Sequence, residues 1–185
     1  MDAEGAAKTI SESDYGIHCL LIYSDLTLLR EFYSHYISKQ VKDKDEVILI
    51  MPFYETEDSV RHVLSKGYNG INIDKVEIEE KILIIEDSLG KYVDQSNAES
   101  VWKANQEMVK YANGLGKKGI SIIGDMGSFL FEKRMQDLID YELCLPKRFE
   151  VNLKGICLYH QKDFDRLSED RRQIIINHHE TAIRI

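Results

Sequence analysis

Acidic and aromatic side chains recur where the apolar, strand-like segments of this sequence end. The clearest case is Asp125, which stands between Gly124 and Gly127 directly after the apolar run at 120–123. A carboxylate in such a turn can accept hydrogen bonds, bind a cation, or act as an acid or base. Ligands of parallel α/β sheets bind outside the carboxyl ends of the strands. The turn therefore predicts a site as well as a fold.

Three further apolar segments, at 17–22, 82–85 and 151–158, end in comparable residues. In a parallel sheet these ends would lie along one edge. An alternative is that polar residues simply end strands and that Asp25 caps the following helix. We predict a ligand-binding edge formed by His18, Tyr23, Asp25, Glu86, Asp87, Asp125, Met126, Tyr159 and His160.

The sequence offers little support for a nucleotide phosphate site. Phosphate-binding loops use glycine amides and a lysine after a strand, whereas the residues after the first strand are Ser24-Asp25-Leu26-Thr27. Asp25 would also repel phosphate. The apolar run ending in Glu86 is similar to the acidic strand end that holds a magnesium-bound water in P-loop enzymes, but its partner loop is missing. We therefore expect no ATP hydrolysis by the usual route.

Histidines and cysteines form no evident metal or nucleophile motif. The His-His-Glu run at 178–180 could ligate a metal, but neighbouring side chains at a helix end diverge. His18 and His160 could approach each other if their strands are adjacent, with Cys19 and Cys157 nearby. The simpler expectation is separate structural or surface histidines. We predict no metal, no cofactor and no catalytic activity.

Strand-like runs alternate with helical segments along the chain, which predicts right-handed βαβ units in one domain. Residues 1–15 are read as a flexible leader, and residues 71–73 as a short edge strand. One long helix is expected from about Ser128, with Phe131 and Met135 on its apolar face. The predicted strands occupy 17–23, 47–51, 82–86, 120–123, 151–159 and 181–185.

Composition excludes several classes of protein. The chain has 185 residues, 43% of them hydrophobic and 30% charged, with a net charge of −8. An acidic chain without a basic block is a poor candidate for direct nucleic-acid binding. No apolar stretch is long enough to span a membrane, and the three cysteines form no CxxC pair. These features indicate a cytoplasmic protein with reduced thiols.

Several motifs together resemble one sensory family, over most of residues 16–185. They are Gly16-Ile17-His18-Cys19 with Tyr23, the run GISIIGDM at 119–126 with its helix ending in Asp140-Tyr141-Glu142, Gly155-Ile156-Cys157-Leu158-Tyr159 with Phe164 beyond, and a His178-containing end. In order and spacing they resemble the MEDS domain, the sensory domain of methanogens and methylotrophs known from a dichloromethane-responsive repressor.

The resemblance implies a three-layer RecA-like (P-loop NTPase-like, KaiC-like) α/β sandwich that has lost its phosphate loop. It also implies a sensory role with a small organic ligand. Domains of this family are usually joined to DNA-binding or kinase modules; because no such motif is evident here, we expect a separate output protein such as a kinase or transcription regulator. We predict a non-catalytic regulatory domain that binds a small organic ligand or a partner protein at the carboxyl ends of the strands, and in which a bound ligand biases the turn from Gly124 to Gly127. The alternatives are a degenerate nucleotide-binding protein without ATPase activity and a structural homodimer.

Overall fold

The protein is built around one parallel sheet. The computed structural model describes residues 1–43, 46–67, 69–92 and 98–185. Its six strands are ordered β3-β2-β4-β5-β1-β6, and every pairing between them is parallel. The strands are β1 (His18–Tyr23), β2 (Glu46–Met51), β3 (Leu83–Ile85), β4 (Gly119–Asp125), β5 (Leu153–His160) and β6 (Thr181–Arg184).

Helices cover both faces of the sheet, which confirms the predicted three-layer α/β sandwich. A π-helical turn, Lys75–Glu79, precedes β3. No helix among the described residues is long and apolar enough to cross a membrane. The α-helices are α1 (Ala3–Glu12), α2 (Leu26–Asp43), α3 (Glu57–Lys66), α4 (Ser88–Tyr92), α5 (Ala98–Gly114), α6 (Gly127–Phe131), α7 (Met135–Cys144), α8 (Gln161–Arg166) and α9 (Glu169–His178).

The two faces of the sheet support separate cores. Alternate residues of a strand point to opposite faces, so in β1 Leu21 and Tyr23 enter one core with α1, α2 and α3. Leu20 and Ile22 enter the other core with α5, α7 and α9. Burial on both faces explains why β1, β2 and β4 are buried along their whole length and read as mainly apolar runs without polar alternation.

The register of the central strands determines which residues meet at the edge. Tyr23 is paired with His160 across β1 and β5, and Asp125 with Leu158 across β4 and β5. The carboxyl ends of β4, β5 and β1 therefore lie side by side. At the opposite end, Glu46 of β2 is buried and lies 3.5 Å from the Nζ of Lys154.

The amino-terminal segment is not the flexible leader that we expected. Ala3, Ala6, Ala7 and Ile10 are buried in α1, which packs against α2. Asp2 caps the helix, its Oδ1 accepting a hydrogen bond from the Gly5 amide at 2.8 Å. The apolar face consists mainly of alanines, which bury little area but allow two helices to approach closely.

Two further local predictions were wrong. Residues 71–73 form no strand; Ile71 is buried, and the chain turns into the π-helical segment. The helix expected after Ser128 is divided into α6 and α7. Lys133 separates them with φ of 56°, a left-handed conformation that a regular helix cannot contain. The sequence also predicts a long helix from Asn97 to Leu115; Asn97 lies outside the described residues, and the helix α5 covers Ala98–Gly114.

Candidate functional site

The centre of the candidate site is the carboxylate of Asp125 at the end of β4. Asp125 is only 1% exposed. Its Oδ2 accepts a hydrogen bond of 2.7 Å from the hydroxyl of Tyr23. Its Oδ1 accepts one of 2.8 Å from the amide of Gly127, the first residue of α6. The carboxylate thus joins β1 to the start of α6 across the end of β5.

Burial dominates the ionisation of this carboxylate. Desolvation raises the pKa of Asp125 to about 7, the hydrogen bonds from Gly127 and Tyr23 oppose the rise, and the charge of Asp163 adds to it. Such a group exchanges its proton near neutral pH. It can donate a hydrogen bond in one state and only accept in the other.

Aromatic rings and a second acid surround this group. The rings of Tyr23 and Tyr54 lie 5.3 and 5.5 Å from the ring of half-buried His160. The hydroxyl of Tyr54 donates to Asp163, whose carboxylate also contacts Arg166 at 3.3 Å. His160 precedes α8, and its Nδ1 accepts a hydrogen bond from the Lys162 amide.

An apolar rim lies beside the acid. Phe53 follows β2 and contacts both Tyr54, with ring centroids 4.9 Å apart, and Phe131, at 5.7 Å. Phe131 at the end of α6 is 68% exposed. A Cβ atom on Gly127 would come within 2.6 Å of the Phe53 ring and 2.9 Å of Tyr54. Glycine is needed here because the two rings approach the backbone closely.

The two glycines of the turn have an ordinary backbone conformation, and what they provide is space. Glycines with positive φ among the described residues are Gly16, Gly70 and Gly116, so Gly124 and Gly127 do not adopt a glycine-specific backbone conformation. A Cβ on Gly124 would come within 2.0 Å of the Tyr92 hydroxyl. Both turn glycines provide space for aromatic side chains.

Three of the predicted acids lie apart from Asp125. Glu86 and Asp87 follow β3, which β2 separates from β4. Glu86 forms an ion pair of 2.7 Å with Lys91, and Asp87 accepts a hydrogen bond from the amide of Gly90 in α4. Asp25 caps α2 through the amides of Thr27 and Leu28. Asp25 therefore caps a helix, which is the alternative that the sequence left open for it.

Three other predicted residues face away from this edge. Met126 is fully buried in the core that includes α5 and α7. Tyr159 is also buried there, and its hydroxyl donates to Glu142 Oε1 at 2.5 Å. His18 is at the amino-terminal end of β1, paired with Gly155. Although β1 and β5 are adjacent, His18 and His160 therefore lie near opposite ends of the sheet.

His18 belongs instead to a buried cluster that sequence reasoning did not identify. His18, Glu142, Cys157 and His179 each place one potential metal-ligand atom within 4.8 Å of the others. Burial, followed by the charges of His179 and His178, lowers the pKa of His18 to about 2. Burial, followed by the charge of Glu142, raises the pKa of the Cys157 thiol. Only the proximity of His18 to Cys157 was anticipated.

One comparison with known proteins gives a match. A search of curated proteins finds no match to this chain. The family model described as MEDS, methanogen/methylotroph, DcmR sensory domain, matches residues 17–179. The matched range begins beside His18 and Tyr23 in β1, includes Asp125, and ends at His179. The chain belongs to the MEDS family of sensory domains.

Proposed function

We propose that this chain is a non-catalytic sensory domain that binds a small organic ligand at the carboxyl ends of β4, β5 and β1. The observation that carries the proposal is the buried carboxyl group of Asp125, with a pKa raised to about 7 and aromatic rings around it. A ligand with a small apolar body and one hydrogen-bonding group suits this combination. Membership of a sensory family supports the regulatory role.

A buried hydroxyl near the carboxylate supports the same location. Tyr33 is 1% exposed, and its Oη has no hydrogen-bond partner among the described residues. The charges of Asp125 and Glu55 contribute to a rise in its pKa, after burial. A buried donor without a partner is unfavourable by about 1–3 kcal/mol. A ligand acceptor that reaches this hydroxyl would remove that cost.

The signal would leave the site through α6. The Gly127 amide donates to Asp125, so a ligand that changes the protonation or hydrogen bonding of Asp125 also changes the first turn of α6. Phe131, at the other end of this five-residue helix, is exposed. A separate output protein, such as a kinase or transcription regulator, would contact this surface. The change in affinity for that protein would equal the change in affinity for the ligand.

Nucleotide binding is the less favoured alternative. At the start of α2 the amides of Thr27 and Leu28 already donate to Asp25 Oδ1. A phosphate at this helix terminus would have to displace a carboxylate of the same charge. ATP, ADP and GTP should therefore leave the melting temperature unchanged in a thermal-shift assay.

The test of the proposal is a direct search for bound small molecules. Native mass spectrometry of the gently purified protein should detect a retained ligand, and a thermal-shift screen of short alcohols, halocarbons, amines and carboxylic acids should identify related binders. Asp125→Asn and His160→Ala should each weaken binding at least tenfold. The control is Asp87→Asn, which changes a carboxylate at the same edge but beyond β2. Equal losses in all three variants, or none, would contradict the proposed location.

A further inference from the structure

The cluster between the sheet and the helices α7 and α9 has the donor set of a metal site. His18 is at the start of β1, Cys157 lies within β5, Glu142 lies in α7, and His179 follows α9. All four are buried, His18 and Glu142 with no exposed area. The side chains converge from four elements that are far apart in the chain, whereas a patch of surface acids would share one exposed face.

In their neutral form, both imidazoles present an unprotonated nitrogen to the cluster. His18 Nδ1 lies 3.1 Å from the carbonyl oxygen of Pro146, and His179 Nδ1 lies 2.7 Å from that of Ile175. A carbonyl can only accept, so each Nδ1 carries a proton, and in the neutral imidazole each Nε2 then keeps its lone pair. A backbone carbonyl bonded to the remote nitrogen is the usual outer partner of a metal-bound histidine.

Two atoms at the centre of the cluster lack hydrogen bonds. Glu142 Oε2 and His179 Nε2 lie 3.4 Å apart, and neither has a hydrogen-bond partner among the described residues. A carboxylate oxygen and an unprotonated nitrogen are both acceptors, so they do not satisfy each other. The second oxygen, Oε1, is held by the Tyr159 hydroxyl at 2.5 Å, which orients the carboxylate towards the two histidines.

We propose that His18 Nε2, His179 Nε2, Cys157 Sγ and Glu142 Oε2 bind one divalent transition-metal ion, with Zn²⁺ as the best fit. Tetrahedral zinc with ordinary bond lengths separates a nitrogen and an oxygen ligand by about 3.4 Å, and a nitrogen and a sulfur by about 3.6 Å. The corresponding distances are 3.4 Å between His179 and Glu142 and 3.5 Å between His18 and Cys157. His18 Nε2 to Glu142 Oε2 is somewhat longer, 3.9 Å.

Charge balance favours the same ion. A thiolate at Cys157 and a carboxylate at Glu142 neutralise a divalent cation, while the two imidazoles remain neutral. The filled site therefore adds no net charge to an apolar core. Four protein ligands also complete a tetrahedral coordination shell. A cavity of about 10 Å³ borders His18 and Cys157, which has room for about one water molecule. The site is thus a closed one that fixes α7 and the end of α9 to the sheet.

This proposal is independent of ligand binding at the carboxyl edge, and it is tested with the metal alone. The full chain, purified without chelators, should contain about one zinc per molecule by elemental analysis. Chelation should lower its melting temperature, because metal binding is coupled to folding, and added Zn²⁺ should restore it. Co²⁺ added to the metal-free protein should give the visible bands of tetrahedral cobalt and a thiolate-to-cobalt charge-transfer band.

The variants separate metal binding from stability. Cys157→Ser should abolish the charge-transfer band, whereas the control Cys144→Ser, which changes an exposed thiol, should retain it. Tyr159→Phe removes only the outer hydrogen bond to Glu142 and should weaken metal affinity by about 10–100-fold. Circular dichroism monitors folding in each case. A folded wild-type protein that binds neither ion, or a band that Cys157→Ser leaves unchanged, would overturn the proposal.

Discussion

Replacing Asp125 with asparagine should stabilise the protein increasingly as the pH rises. Burial raises the pKa of Asp125 from 3.8 to about 7. The native state therefore retains a proton that the unfolded chain has already lost. The stability that the protonated group contributes is complete below about pH 4 and is lost as the pH rises through about 7. An asparagine of the same shape avoids this loss.

The size of the effect follows from the shift. One unit of pKa corresponds to about 1.4 kcal/mol, so the full difference between the two states is about 4 kcal/mol. Between about pH 5 and about pH 8, the free energy of unfolding of Asp125→Asn should rise by about 2–3 kcal/mol relative to the wild type. Asparagine can still accept from the Gly127 amide through Oδ1. Its Nδ2 can donate to the oxygen of Tyr23, so the geometry is preserved.

Urea unfolding at a series of pH values measures this difference. Tyr23→Phe removes a hydrogen bond that lowers the pKa of Asp125. In a plot of unfolding free energy against pH, the loss of stability caused by Asp125 should therefore end at a higher pH. Tyr33→Phe is the control, because it removes a buried hydroxyl near the site that makes no hydrogen bond to Asp125. Its effect should not vary with pH. A pH-independent difference between Asp125→Asn and the wild type would refute the reasoning.

Three substitutions test other contacts by urea unfolding. Gly124→Ala should lower the free energy of unfolding by about 1–3 kcal/mol, because the new methyl group meets the Tyr92 hydroxyl. Adding Tyr92→Phe should recover part of this loss; no recovery would exclude the clash as its cause. Lys154→Met should lower the free energy of unfolding by about 3–5 kcal/mol, because it leaves buried Glu46 without its ion-pair partner. The double variant Lys154→Met, Glu46→Gln should lose less stability, because the unpaired charge is then absent. Ala6→Glu should lower the free energy of unfolding by more than about 1 kcal/mol, because it places a charge in the buried contact between α1 and α2. An unchanged urea midpoint would argue that α1 does not pack against α2.

The elements of the sheet could be predicted because each depends on its own residues. The apolar run of β4 is buried on both faces, and such runs are typical of parallel strands. Threonine before two acidic residues, as at Thr56-Glu57-Asp58, is typical of the start of a helix, and the Oγ1 of Thr56 accepts a hydrogen bond from the Ser59 amide at 3.2 Å. The sequence also shows the helical spacing of the residues that α1 buries, which are Ala3, Ala6, Ala7 and Ile10. Alanines give a weak apolar signal, however, so this helix was not predicted.

The order of the strands could not be read from the sequence, because it depends on contacts between distant segments. That order decides which strand ends meet. Asp125 contacts Tyr23, 102 residues away, whereas Glu86 ends a strand at the far edge of the sheet. The cluster of four donors combines residues 18 and 179 with two others. No short motif joins them, so only the fold brings them together.

Strand β5 connects the two regions of the molecule directly. His160 at its end lies beside Tyr23 and Tyr54, while Cys157, three residues earlier, contacts His18. About 10 Å of fully extended backbone separates them. Hydrogen bonds to β4 and β1 on both sides hold this segment, so the separation of the two residues along the strand is fixed. This segment is the shortest covalent path between the two proposed sites, and the visible spectrum of cobalt bound beside Cys157 would therefore test whether a molecule bound at His160 displaces the strand.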